Sequence, residues 1–482
     1  SQFQAAASAD TRVFDDLRQN VEKETADLEA IEATLKQEME GALKRAFESL
    51  SAVEIVNAAG RPGARIVPRY QQRKAQRRLV QAIGDYRRRL IQALVALFYH
   101  QSKGVLWTKR QELTGERSLL YPGDVVKQYA GRHRLHSKVI DQLPYYYVNL
   151  FTDDAGASQE FRVVMQEETA RGNRAIERFK EGNAGMVIVT GDRGSGKSSM
   201  ARYLVETHFE KQDIWRVRPP LECSSDVKNF DDQLKAFAGG RGSLERRLDE
   251  LSGKKVVLID DLELWWERRR QGTQVIDRIV ELMGMYGSRL LVVATVNRYA
   301  LRVLEQLTPL TSWVGELIYC QPFNAGELKE MILTRHQAGG MRFVLDDQEE
   351  DDFSDWAYAR YFNHLFNCTG GNPGAAAHCW LGGIRSVEGM RIRIERPVQE
   401  ELHAVGYLTD SEWMVILQLV MHRRVSVGGL ARSLNRDSER VGAVVRQLLH
   451  NGVLHETTTG VYMLEPFMEQ ALISNLKKLT YL

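Results

Sequence analysis

Residues 191–198 constrain the fold of this chain most, because they read Gly-Asp-Arg-Gly-Ser-Gly-Lys-Ser and match the phosphate-loop pattern GxxxxGK[S/T] in full. Residues 186–190 (Met-Val-Ile-Val-Thr) are typical of a buried strand, and a helical run opens at Ser199. In such a loop, glycines let backbone N–H groups converge on phosphates, and the helix N-terminus adds positive potential. The sequence therefore predicts an α/β P-loop NTPase core, a parallel sheet flanked by helices, with a nucleotide at the strand-to-helix junction.

The loop itself is expected to form most of the nucleotide site. Lys197 should reach the β- and γ-phosphates, and the Ser198 hydroxyl should ligate Mg²⁺. The alternative, a glycine turn without a nucleotide, seldom occurs between a strand and a helix. The predicted binding residues here are Gly191, Asp192, Arg193, Gly194, Ser195, Gly196, Lys197, Ser198 and Ser199.

A second predicted strand ends in two carboxylates, because residues 255–261 read Lys-Val-Val-Leu-Ile-Asp-Asp. Asp260 is expected to hold the water shell of the metal, and Asp261 to orient or deprotonate the attacking water. A strand that ends at an acidic turn is the alternative. The phosphate loop upstream favours the metal site.

A third predicted strand, residues 290–297, ends in an amide that is followed by a cation. Polar groups at the tip of such a strand point toward the γ-phosphate. Asn297 could position water there and Arg298 could contact the phosphate. A plain strand-to-loop turn explains both residues as well.

Over residues 160–475, the order of these motifs resembles the AAA+ and STAND branches of the P-loop ATPases. The Asp-Asp and Asn-Arg pairs are similar to those of STAND and origin-recognition-type ATPases. This resemblance implies ATP as the nucleotide, Mg²⁺ as its metal, and hydrolysis by Lys197 and Asp261 with Asn297 and Arg298 as γ-phosphate sensors.

A helical lid over residues 326–400 follows from the same resemblance, after a core of residues 160–325. In STAND relatives a Gly-x-Pro turn opens a lid helix against the nucleotide, and Gly371-Asn372-Pro373 fits that pattern. Pro373 is therefore an expected nucleotide contact. Proline in a first helical turn after glycines also starts a helix without any ligand.

Two departures from the AAA+ pattern favour a slow nucleotide switch over cooperative hydrolysis in a ring. Residues 375–377 are alanines where AAA+ members usually place a lid arginine, and residues 311–313 (Thr-Ser-Trp) stand where a trans-acting arginine is usual. Arg298 or Arg302 could substitute for the latter.

Residues 405–482 are similar to a winged-helix domain, with three helical runs and a hairpin at residues 454–464. If the third helix entered a major groove, its readers would be Arg436, Arg440, Arg446 and Gln447. In STAND relatives the same module packs on the nucleotide core as a clamp. Both interpretations stay open.

Residues 1–151 are expected to form a long N-terminal helical or coiled-coil arm that gathers protomers into a homo-oligomer or binds another protein. Between Arg61 and Arg89 there are ten Lys or Arg residues and one acid, Asp85. These charges fit either a solvated helix face or a contact with a polyanion such as DNA.

Composition narrows the remaining classes. The formal net charge of +2 does not by itself indicate a nucleic-acid binder. Four cysteines without CxxC spacing argue against a disulfide framework or zinc ribbon and suit the cytoplasm. No apolar run is long enough for a transmembrane segment. Because the chain begins with Ser, we expect processing or a larger parent protein, which leaves a membrane attachment upstream of residue 1 open.

Three hypotheses differ in class. The first is a regulatory ATPase whose nucleotide-dependent conformation controls assembly with itself or a partner. The second is a DNA-associated ATPase of the loader, transposition or defence type that uses the winged helix and the basic arm. The third is an ATP-binding scaffold whose hydrolysis is too slow to matter.

Overall fold

A computed structural model describes residues 139, 141–151, 161–397 and 408–482. Most of the predicted N-terminal arm, including its basic stretch, lies outside these residues. Of residues 1–151, the structure describes one short helix, α1 (Tyr145–Asn149), and the turn before it. Within the described part of the chain, no helix has the length and apolar character needed to cross a bilayer.

The core is a five-stranded sheet whose neighbouring strands are all parallel, in the order β2-β3-β4-β1-β5. β1 and β4 are buried along their whole length, as expected for a parallel sheet covered on both faces. This arrangement confirms the predicted P-loop NTPase core. The strands are β1 (Met186–Gly191), β2 (Ile214–Val217), β3 (Lys255–Ile259), β4 (Leu290–Asn297) and β5 (Val314–Tyr319).

Helices cover both faces of this sheet. One face packs Phe230, Trp265 and Ile279 against the strands, and the other packs Ile176 and Leu204. The central strands are thus covered by apolar side chains on both faces, whereas the edge strand β5 is partly exposed. The helices are α2 (Gln166–Lys180), α3 (Lys197–His208), α4 (Val227–Ala238), α5 (Leu244–Asp249), α6 (Gln274–Tyr286) and α7 (Arg298–Leu307).

The lid region contains a sheet that the sequence analysis did not predict. Its helices are α8 (Ala325–Ala338), α9 (Asp355–Thr369) and α10 (Pro373–Gly382). Beside them lies a four-stranded sheet in the order β7-β6-β9-β8. The sequence feature that could have predicted this sheet is the alternation of cationic and apolar residues, which is clearest in β9. The strands are β6 (Arg342–Leu345), β7 (Gln348–Glu349), β8 (Ile384–Glu388) and β9 (Arg391–Ile394).

The C-terminal domain has the three helices and the hairpin predicted for a winged helix, together with a short strand, β10, and a last helix that were not predicted. Its antiparallel sheet has the order β10-β12-β11. Tyr299 of α7 belongs to the apolar core of this domain, so core and C-terminal domain share one packed interface. The elements are α11 (Asp410–His422), β10 (Arg424–Ser426), α12 (Val427–Leu434), α13 (Ser438–His450), β11 (Leu454–Thr458), β12 (Val461–Leu464) and α14 (Pro466–Lys478).

Candidate nucleotide site

A cavity of about 370 Å³ lies at the carboxyl ends of β1, β3 and β4. This edge of a parallel sheet is where ligands bind in open α/β folds. The volume falls within the range of small-molecule sites. The walls come from the phosphate loop, the tip of β3, the lid and the C-terminal domain, and all three candidate roles (phosphate, metal and base contact) therefore meet in one space.

The phosphate loop has the backbone that its glycines predict. Gly194 and Gly196 have φ of 75° and 88°, where other residues are strained. Lys197 opens α3 and is buried, with its Nζ donating to the Asp192 carbonyl at 2.8 Å. The Ser195 Oγ is buried without a hydrogen-bond partner among the described residues. The loop thus holds polar groups that a phosphate could engage.

The lid turn packs directly on this loop. Asn372 caps α10 by accepting from the Ala375 N–H at 2.9 Å, and its Nδ2 donates to the Arg193 carbonyl at 2.7 Å. Gly374 donates to the Gly194 carbonyl at 2.9 Å. A Cβ on Gly194 would lie 2.9 Å from the Asn372 Oδ1, so the close approach needs glycine.

Pro373 occupies the first turn of α10. It lines the cavity together with Gly194, Gly196 and Ser199 of the phosphate loop and α3. The predicted loop residues and the predicted lid turn are therefore together. Their role as nucleotide contacts stays a prediction.

The two carboxylates after β3 have different environments. Asp260 is half-buried and accepts from the Thr295 Oγ1 at 2.9 Å, with the Arg202 Nε 4.0 Å away. Asp261 is buried, and its backbone has a left-handed conformation with φ of 54°. Its carboxylate forms an ion pair with Arg423 of the C-terminal domain. The residue predicted to activate water is thus held by a cation that the sequence analysis did not single out.

Ser198 and Asp260 line the same cavity. Hydroxyl and carboxylate oxygens are ligands that Mg²⁺ uses when it also binds phosphates. The residues present therefore fit a magnesium nucleotide.

Asn297 lines the cavity and Arg298 is partly exposed, and both side chains also contact protein groups. The Asn297 Oδ1 caps α7, while its Nδ2 donates to the carbonyls of Val420 and Met421 at 3.1 and 2.9 Å. Arg298 forms an ion pair with Asp192. Asn297 thus connects the core to α11, and Arg298 contacts the phosphate loop by pairing with the Asp192 side chain. Their sensing role remains a prediction.

Glu263 is a site residue that the sequence analysis missed. It lies on the cavity wall, is 2% exposed, and accepts from the Asn297 backbone N–H at 3.2 Å. Burial, and next the negative charge of Asp261, raise the pKa of Glu263 to about 7. The sequence shows Glu263 only as a third acidic residue in the run 260–263. Nothing in that run indicates that its side chain would be buried in the site.

The C-terminal domain packs on the core, one of the two alternatives for it, through residues that the sequence analysis did not name. Arg193 of the phosphate loop donates to the Leu464 carbonyl at 3.0 Å and pairs with Glu469 at 3.3 Å. The His422 Nδ1 lies 3.3 Å from the Glu263 carbonyl. The phosphate end of the cavity is therefore closed by α11, β12 and α14.

The lid end of the cavity is lined by apolar side chains, among them Phe323 and Met331, and Met165 lies between them and Gly196 of the phosphate loop. Arg162 lies there with its guanidinium 3.4 Å from the ring centre of Tyr203. Arg335 of the lid helix α8 completes this wall. Flat apolar surface next to a phosphate loop suits the base of a nucleotide.

No protein-family model matches this chain, and no curated protein matches it. Among solved structures, the chain is similar to the RuvB Holliday junction branch migration motor of Thermotoga maritima, with 15% identity over 69% of this chain and 98% of that one and a TM-score of 0.34. Cdc6p of Pyrobaculum aerophilum shows 13% identity over 68% and 98%, with a TM-score of 0.34. A Walker-type ATPase of Pyrococcus abyssi shows 13% identity over 67% and 99%, with a TM-score of 0.36. Likeness at this level adds nothing to the fold, which rests on the sheet and loop above.

Proposed function

We propose that this protein is a Mg²⁺-dependent ATPase of the AAA+/STAND kind, in which the bound nucleotide controls whether the C-terminal winged-helix domain stays docked on the core. The observation that supports it most is the ion pair between Asp261 and Arg423. It joins the candidate water-activating carboxylate to the domain whose position would change.

The proposed division of roles follows from the cavity. The loop N–H groups and Lys197 bind the phosphates, and Ser198 and Asp260 hold Mg²⁺, which neutralises charge on the phosphates when bound. Asp261 accepts a proton from the attacking water. A carboxylate oxygen that is already bound to an arginine is not free to bind the attacking water. The docked state should therefore hydrolyse ATP slowly.

Nucleotide and docking are coupled because they use the same groups. Arg193 pairs with Glu469 of the C-terminal domain in the docked state, and its cation would also attract phosphate oxygens. A ligand shifts such an equilibrium only by its difference in affinity for the two states. We infer that the triphosphate favours release of the C-terminal domain and assembly through the N-terminal arm, with itself or with a partner. The four cysteines of the protein are free thiols, which suits a cytoplasmic location.

The decisive measurement is titration calorimetry with ATP and ADP on the full chain and on Lys197→Ala. We expect the substitution to weaken binding about 100-fold, because a charge-assisted bond to phosphate is removed. Lys228→Ala, an exposed lysine outside the cavity, is the matched control. No nucleotide binding by folded wild-type protein, or equal binding by Lys197→Ala, would contradict the proposal. Light scattering with and without ATP then tests assembly.

A DNA-associated ATPase is the second candidate, and one observation favours it. On α13 and the turn before it, Arg436, Arg440, Arg446 and Gln447 are exposed, whereas the domain docks on the core through other elements. Asp437 and Glu439 on the same segment oppose phosphate contacts.

A gel shift across a salt series tests this candidate. If α13 binds DNA, the double variant Arg440→Ala/Arg446→Ala should weaken binding and reduce the salt slope by about 1 for each phosphate that an arginine had neutralised. Arg360→Ala, an exposed arginine of the lid, is the control. Equal shifts for all three proteins would exclude α13 as the DNA-binding helix.

A further inference from the structure

The lid end of the cavity carries a buried cation that no described residue compensates. Arg335 is 9% exposed and lines the cavity from α8. Its Nε has no hydrogen-bond partner among the described residues, and in that part of the chain its guanidinium forms no ion pair. Burial alone lowers its pKa. A guanidinium cannot lose its proton in a protein, so this charge is left without a counterpart.

The neighbour of Arg335 in the sequence, His336, has polar partners of its own, whereas Arg335 has none among the described residues. His336, the next residue on α8, lies 3.1 Å from the Glu350 carboxylate and 2.8 Å from the Tyr147 hydroxyl oxygen. Glu350 also accepts from the Phe343 N–H at 3.3 Å. Buried arginine is costly unless it is paired and hydrogen-bonded. A ligand in the cavity would give Arg335 the acceptor that no described residue supplies.

The position of Arg335 indicates which half of a nucleotide supplies that acceptor. Met331 and Arg335 are one turn apart and so lie on the same face of α8. Phe151 and Phe323 belong to the same apolar cluster as Met331 and also line the cavity. This apolar wall suits a planar ring, whereas phosphates would be bound by the loop N–H groups and Lys197. On this arrangement Arg335 lies on the wall that a base and sugar would contact.

We propose that Arg335 is a binding residue for the nucleoside half of the nucleotide, donating hydrogen bonds to a ribose hydroxyl oxygen or to a ring acceptor of the base. The inference rests on the proposed function, because it needs the triphosphate end at the phosphate loop. A donor-only fork selects ligands by their acceptors. Lysine at this position would keep the charge but lose the planar fork.

The test compares wild type with Arg335→Met and Arg335→Lys by calorimetry against adenosine and ADP, and by thermal unfolding without and with ADP. We expect Arg335→Met to weaken both ligands by a similar factor, about 10- to 100-fold, since a charge-assisted bond to the shared nucleoside is removed. Arg335→Lys should fall between the two. Arg360→Met controls for a lid arginine on the surface.

Thermal unfolding separates binding from a structural role. Removing an uncompensated buried charge should raise the Tm of the nucleotide-free protein, while the further rise on adding ADP shrinks. A structural arginine would instead lower the Tm of the nucleotide-free variant. Weaker binding of 2′- or 3′-deoxy-ADP to wild type, absent in Arg335→Met, identifies the ribose as the acceptor; the same pattern with 7-deaza-ADP identifies the base.

Unchanged affinity for adenosine and ADP in Arg335→Met overturns this inference. The proposed function can survive that result, because it fails only if wild-type protein binds no nucleotide or if Lys197→Ala has no effect on ADP. Lys197→Ala should leave adenosine binding unchanged, so the two substitutions report on opposite ends of the ligand.

Discussion

The two ends of the cavity differ in how their charges are compensated. At the phosphate end, the charged groups have protein partners: Lys197 donates to a carbonyl, Arg298 pairs with Asp192, and Asp261 pairs with Arg423. At the lid end, Arg335 has no such partner among the described residues.

Because of this difference, we expect the two ends to contribute differently to nucleotide affinity and to the position of the C-terminal domain. A ligand at the lid end satisfies a group that is otherwise uncompensated, so its binding should displace no protein contact. A triphosphate at the other end competes with contacts that hold the C-terminal domain. We therefore expect the nucleoside to contribute affinity and the phosphates to shift the domain.

Acid should disturb the phosphate end first, through His422. This side chain is fully buried, 4.5 Å between ring centres from Trp266, and burial lowers its pKa to about 4. The unfolded chain takes up the proton near its usual pKa of 6.5. Because the pKa of His422 is lower in the folded than in the unfolded chain, protonation favours unfolding. The contribution of the neutral ring to the free energy of unfolding is therefore complete above pH 6.5 and is lost as pH falls toward 4.

The pKa difference corresponds to about 3 kcal/mol at most in the free energy of unfolding. Urea unfolding of wild type and His422→Gln between pH 7.5 and 4.5 measures it. We expect the stability advantage of wild type to shrink across this window, since only wild type carries the titrating ring. Carboxylates such as Glu263 titrate in both proteins, so the comparison between them isolates His422. An advantage that is the same at every pH would contradict the prediction.

The sequence could predict what depends on neighbouring residues. Strand β1, the phosphate loop and the acids after β3 are read from short patterns, because glycine and apolar runs fix local backbone geometry. The pairing of Asp261 with Arg423 joins positions 162 residues apart, and no pattern near either one indicates it. The absence of a partner for Arg335 among the described residues likewise depends on every element that packs around α8.

Arg423→Ala should open the phosphate end. It removes the cation that holds Asp261, and because the Arg423 side chain is 25% exposed, the loss of docking energy should be about 1–2 kcal/mol. Release of the carboxylate should raise steady-state ATP turnover about tenfold, if docking limits the rate. Turnover is measured beside Arg423→Ala/Asp261→Asn, which should abolish the gain. A fall in turnover for the single variant would mean that Arg423 assists hydrolysis instead of restraining it.

The smallest expected effect concerns the contact between lid and phosphate loop. Asn372 both caps α10 and donates to the Arg193 carbonyl, whereas Ser354 only caps α9 by accepting from the Ala357 N–H at 3.2 Å. Replacing either by alanine should cost about 1 kcal/mol for the cap. Asn372→Ala should cost about 1 kcal/mol more, for the bridging hydrogen bond.

Urea unfolding of both variants gives that difference, and ADP affinity shows whether the bridge serves the site. We expect Asn372→Ala to weaken ADP binding a few-fold and Ser354→Ala to leave it unchanged, since only the first loosens the turn that meets Gly194. Equal losses of stability and affinity would mean that the lid turn rests on the loop without holding it. The hydrogen bond from the Gly374 N–H to the Gly194 carbonyl would then be the contact that joins the lid turn to the loop, and closure of the phosphate end would depend mainly on the C-terminal domain.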